Sequence, residues 1–313
     1  MKIVKPSHKI LLPESPLKHI EKIGRICYKS EDAITETSAE PFVGRLFKSG
    51  HHAMLEHFRF IAEIDQYDYQ QLAVHVSNNK YITLTDDGRY VMSASARGIN
   101  DMYVALNYSD NRYCEVINVL ERIAQEIIFH YDCAVMFDRN ITTFPGVEYT
   151  GVCIIDDFGE LSDYEYKMHA WYSILFTCDR GVTHEMVRHR DASFAQESTR
   201  YCNYSQGKYG NEITVIEPMF WAEDSIEYEI WKKTCENIEG AYMQLINAGA
   251  VPQQARSILP NSTKAEIVIT AQIYEWEHIF NLRVHGTTGA PHPQIRQVMA
   301  PAYNEMVCNN YLP

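Results

Sequence analysis

Residues 188–201 run Arg188-His189-Arg190-Asp191-Ala192-Ser193-Phe194-Ala195-Gln196-Glu197-Ser198-Thr199-Arg200-Tyr201. This stretch concentrates arginines, a histidine, serines, a glutamine and a tyrosine, a donor set suited to gripping phosphates and the edge of a base. Just upstream, Ile174–Cys178 reads as a short strand, and Asp179 as the N-cap of a helix running to about Arg190. Cationic residues at a helix C-terminus complement the dipole, which accounts for the charge but not for the run that follows. Asp191 to Gly210 is polar, aromatic and without a period, and is expected to form a long functional loop.

Farther out the periodicities are ordinary. Ile213–Ile216 reads as a strand, Ser225 to Ala248 as a long helix ended by Gly249, and Pro252 through Ile258 as a short helix stopped by Pro260. Ile267–Thr270 then leads into a last helix reaching about Leu282. On the N-terminal side, Ser15-Pro16 opens a helix to about Tyr28, and Ser38 caps a second that Gly50 stops. Phe58, Phe60, Ala62 and Ile64 alternate with polar residues, predicting a strand with one buried face. Between Tyr67 and Trp171 the texture changes to a hairpin, with strands at 81–85 and 89–93 around Asp87-Gly88, and an amphipathic helix carrying Val116 to Ile128. There are no repeats or Gly/Ser linkers. The expectation is an α+β fold: one domain over 1–313, a central antiparallel-rich sheet flanked by helices, and an inserted hairpin-and-helix subdomain at about 67–171.

Composition bounds the function. The chain has 313 residues, 46% hydrophobic and 22% charged, as in folded globular proteins. Its 28 Lys and Arg against 41 Asp and Glu give a net charge of −13, which disfavours non-specific nucleic-acid or anionic-membrane binding. An anionic ligand therefore needs a local basic focus. Neither a signal peptide nor a membrane span of ~18–20 apolar residues is recognisable, so a cytoplasmic location is expected. The eight cysteines lack zinc-knuckle spacing and read as buried free thiols, and the His51, His52 and His57 group has no carboxylate or Cys at metal spacing. No metal is expected.

Arg188-His189-Arg190, seven residues, then Ser198 and Arg200-Tyr201 resembles the signature of the flavin-dependent thymidylate synthases. Gly50-His51 with Leu55-Glu56-His57, Ala255-Arg256-Ser257-Ile258-Leu259-Pro260, and Glu275-Trp276-x-His278-x-Phe280-x-Leu282-Arg283 resemble further family segments in the same order. The likeness covers roughly 1–66 and 172–300. It implies a homotetramer with active sites at subunit interfaces, binding FAD, dUMP, methylenetetrahydrofolate and NADPH, and converting dUMP to dTMP. Carried over, it implies flavin contacts from Arg188, His189, Arg190, Gln196, His51, Ala53, Gln272, Tyr274 and His278. The dUMP site would be lined by Glu185, Arg188, Gln196, Glu197, Ser198, Thr199, Arg200, Arg256 and Arg283. Arg283 would donate to the uracil edge as charge builds on the ring. Ser198 reads as a hydrogen-bond donor to phosphate or base, or as a nucleophile, although no base neighbours it in sequence. His57 reads equally as a buttress of its loop.

Four positions depart from the family pattern: Ala53 where a hydroxyl residue is usual, Gln272 for Asn, Tyr274 for Arg and Ala195 for Ser or Asn. They motivate two alternatives, C5 methylation or hydroxymethylation of another pyrimidine nucleotide, and a catalytically silent nucleotide-binding homologue.

Overall fold

The computed structural model describes residues 1–76, 79–107, 113–142, 151–200, 202–207 and 210–312. Among them the strands are β1 (Lys2–Val4), β2 (Ser7–Leu11), β3 (Arg59–Ile64), β4 (Ile82–Asp86), β5 (Tyr90–Ser95), β6 (Val152–Ile154), β7 (Trp171–Asp179), β8 (Ser193–Gln196), β9 (Thr214–Ile216) and β10 (Lys264–Gln272). The fold is α+β. The antiparallel strands divide into two four-stranded sheets, ordered β2-β7-β10-β8 and β4-β5-β3-β6, and β1 pairs with β9 in parallel. The first sheet is anchored by a nine-residue register from Lys264↔Asp179 to Gln272↔Trp171.

The second sheet forms because β3 pairs with the hairpin β4–β5 on one side and β6 on the other. Its core joins Ile20 and Val43, from helices Pro16–Tyr28 and Ala39–Lys48, to Val91 of β5 and to Leu120, Ile123 and Ile127 of helix Cys114–Tyr131. β3 is buried on both faces rather than one: Phe60, Ala62 and Ile64 are inaccessible on one face, and Arg59 and Ile61 are inaccessible on the other. Polar stitches hold the sheets together. Trp171 Nε1 donates to the Arg59 carbonyl at 2.8 Å, His169 contacts Thr85 and Ser93, and Arg89 reaches Glu165 and Glu63.

Several expectations meet a different outcome. The helix capped by Asp179, whose side chain accepts from the Val182 amide, spans only Arg180–Met186, so Arg188-His189-Arg190 lie on the turn beyond it. The expected loop contains β8, because the edge of β10 at Ile267–Thr270 recruits Gln196–Ser193. The helix ending near Leu282 is not the last. Gly286, at φ 71°, closes it, and Pro293–Cys308 follows, with Pro293 in its first turn and the His292 side chain as cap. Ser38 precedes its helix without capping it, since its hydroxyl donates to Glu21 at 2.9 Å. Of the eight cysteines, Cys114, Cys153 and Cys308 are exposed rather than buried.

Candidate functional site

A cleft of about 910 Å3 opens between three elements: the turn after helix Arg180–Met186, helix Ile273–Phe280 with the π-turn Asn281–His285 that continues it, and the loop 288–292. This volume is within the ~300–1,000 Å3 usual for small-molecule sites. Single π-turns widen a helix locally and recur at functional sites. Here the π-turn carries Arg283 inward. Its Nε donates to His189 Nε2 at 3.0 Å, and its two terminal nitrogens donate to Glu185 Oε2 at 3.1 Å and the Glu185 carbonyl at 3.2 Å.

These contacts define protonation. His189 accepts at Nε2, so its own proton is on Nδ1 and the ring is neutral. Burial, reinforced by the Arg283, His278 and Arg188 charges, lowers its pKa to about 4. Nδ1 faces Glu275 Oε1 at 3.8 Å. Burial and the nearby Asp191 carboxylate push Glu275 up to about 7, so at neutral pH a carboxyl group that is about half protonated sits beside a neutral imidazole. At the mouth Arg188 and Arg190 are exposed, and neither has a carboxylate within ion-pair distance among the described residues. In a chain of net charge −13 this is the local basic focus that an anionic ligand requires.

The sequence-predicted residues fall into separate groups. The cleft gathers Glu185, Arg188, His189, Arg190, Tyr274, His278 and Arg283. Ser198, Thr199, Arg200 and Arg256 do not line it. Arg256 donates to Thr199 Oγ1 at 3.4 Å, and the Ser198 hydroxyl accepts from the Arg200 amide. Beside them Glu197 is buried, with its carboxylate on Lys264 at 2.9 Å and Lys29 at 3.9 Å, and both lysines also pair with Glu266. Gln196 donates to Thr183 at 3.0 Å. Gln272 turns away from the cleft, bonding Thr83, Ser93 and the Met168 carbonyl. His51 bonds the Tyr28 hydroxyl at 2.7 Å, and Ala53 lies on the turn His52–His57, which packs on β8. His57 is wholly buried, with Nδ1 on Thr270 Oγ1 at 2.7 Å, which is a structural position. Tyr201 lies outside the described residues.

Asp191, Glu275 and the loop 288–292 also line the cleft, although the sequence assigns none of them a site role. The available signal was the pair of carboxylates adjoining the two Arg/His-rich segments.

A family model described as thymidylate synthase complementing protein matches residues 155–308. Over 107 residues the chain is 37% identical to a flavin-dependent thymidylate synthase of Pyrococcus furiosus, covering 34% of this chain and 43% of that protein. Over 119 residues it is 32% identical to one from Corynebacterium diphtheriae, covering 33% and 45%. The chain thus spans less than half the length of these curated relatives. A UMP/dUMP methylase, PolB, from Streptomyces cacaoi, solved with 5-Br dUMP, aligns over 100% of this chain and 94% of its own at 14% identity, with a TM-score of only 0.41.

Proposed function

The chain belongs to the flavin-dependent thymidylate synthases, the thymidylate synthase complementing protein family, by its segment 155–308, and from that premise we propose that it methylates dUMP at C5. In this reading FAD is the cofactor, methylenetetrahydrofolate the carbon donor and NADPH the reductant, and the enzyme works as a cytoplasmic homotetramer.

The observation that carries the reading is the convergence of Arg283 with the Arg188-His189-Arg190 turn in one cleft. The donor set suits a flavin beside a nucleotide. Two exposed guanidiniums at the mouth match phosphates, and a buried guanidinium with a neutral imidazole matches the polar edge of a ring. Bound there, a flavin supplies hydride transfer.

The chain's own residues do the rest. Glu185 and His189 take three of the five N–H donors of Arg283 and hold its plane, leaving two for a ligand. A fixed guanidinium donating to the uracil edge stabilises the charge that makes C5 nucleophilic. Because Ser198, Arg200 and Arg256 lie outside the cleft, they complete the nucleotide site of a neighbouring copy. Glu197 acts there by holding Lys29 and Lys264 in place.

The test is the visible spectrum of the purified protein on adding FAD and then dUMP, followed by dTMP formation. A flavin spectrum perturbed by dUMP is expected, with turnover at least about 10²-fold lower in Arg283→Ala. A protein that binds dUMP and no flavin would sink this reading in favour of a silent nucleotide-binding homologue.

A further inference from the structure

A second compartment, of about 600 Å3, borders the cleft at Asp191 and Tyr274, which line both. Much of its remaining wall comes from the stretch inserted between Tyr67 and Trp171, notably Tyr69, Lys80, Thr83 and Leu84. Lys80 lines this compartment and reaches the backbone of Arg190, which lines the cleft. Its Nζ donates to the Arg190 carbonyl at 2.9 Å and the Ala192 carbonyl at 3.4 Å, and lies 5.0 Å from the Tyr81 ring centre. These partners are neutral, and among the described residues no carboxylate lies within ion-pair distance of Lys80. Asp191 is the one carboxylate among the described residues of the compartment wall and stands beyond ion-pair distance of Lys80, so the ammonium is open to a ligand.

The segment that carries Lys80 is fixed. Arg59 donates to the Lys80 carbonyl and to Thr83, and Gln272 bonds Thr83 at 3.1 Å and Ser93 at 3.2 Å, tying β4 and β5 to the end of β10. A held ammonium with a tyrosine from each side of the compartment suits a phosphate attached to a flat ring.

We propose that the inserted stretch is part of the ligand site: Lys80 grips the adenosine-side phosphate of a dinucleotide, the phosphate that a flavin mononucleotide lacks, and the compartment takes its adenosine while the flavin ring occupies the main cleft. This rests on the flavin reading above. It gives the insertion a selective task, discrimination of a dinucleotide from a flavin mononucleotide.

Dissociation constants for FAD and FMN, read by flavin fluorescence in the wild type, Lys80→Ala and Lys80→Arg, test the proposal. Lys80→Ala is expected to weaken FAD at least about tenfold, the scale of one charge-assisted hydrogen bond, and to leave FMN unchanged, with Lys80→Arg close to wild type. Equal loss for both flavins would show that Lys80 only steadies the Arg190 turn, and no loss for either would remove it from the site; both results overturn the proposal. If the wild type binds neither flavin, the flavin reading fails separately. The compartment is then probed with AMP by ligand-observed NMR. Saturation transfer lost in Lys80→Ala sustains the proposal, and none in the wild type overturns it.

Discussion

Replacing Glu275 by glutamine isolates the cost of holding a carboxyl group inside the cleft. Glu275 keeps its proton to about pH 7 in the folded chain against an ordinary value of 4.5, because it is buried, with Asp191 nearby. The unfolded chain loses that proton near pH 4.5. Between the two values the folded state binds the proton and the unfolded state does not, so stability falls as pH rises and the loss is complete above pH 7. Glutamine carries no such term. Glu275→Gln is expected to gain on the wild type by less than ~1 kcal/mol at pH 5 and by roughly 3 kcal/mol at pH 8. His189 works in the opposite sense: its pKa is lowered to about 4 from 6.5, so its contribution is lost as pH falls through that window. Present in both proteins, it largely cancels in the difference. Urea midpoints at pH 5, 6, 7 and 8, at one protein concentration and with an unchanged m-value, read the effect. A difference that stays flat with pH, or a variant less stable at pH 8, would refute the argument.

Two further outcomes follow from the packing. His19, His57 and His169 are buried and held neutral to about 3, against 6.5 in the unfolded chain. The unfolded state therefore takes up protons first, and stability should drop steeply as pH falls from 6.5 toward 3, seen as acid unfolding by circular dichroism; a flat stability over that range would contradict their burial as neutral rings. Gly98 tolerates no side chain, because a Cβ there would stand 2.6 Å from Tyr81 Cβ and 3.0 Å from its carbonyl oxygen. Gly98→Ala should cost about 1–3 kcal/mol in chemical denaturation, and an unchanged midpoint would show that the hairpin moves freely.

What was legible in the sequence, and what was not, divides by the range of the interaction. Helix Pro16–Tyr28, the hairpin β4–β5 with Gly88 at φ 88°, and helix Ile226–Asn247 with its Ser225 cap depend on local signals, and the structure has them close to where the residues put them. Ser193–Gln196 has no period of its own and becomes a strand only because β10 presents an edge. β1 is likewise decided by its distant partner β9. The same division runs through the candidate site. The chemistry of Arg188-His189-Arg190 and of Arg283 could be read from residue type. That Arg283 closes on Glu185, or that Glu197 is held by Lys264, depends on elements far apart in the chain. The β8–β10 register also separates the two groups of candidate residues. Arg188 to Arg190 precede β8 and Ser198 to Arg200 follow it, and four residues of strand span ~13 Å. At the near end Arg188 and Arg190 line the cleft, whereas at the far end Arg256 bonds Thr199 and the Ser198 hydroxyl bonds the Arg200 amide outside it, a separation set by the pairing with β10 that residue type alone does not show.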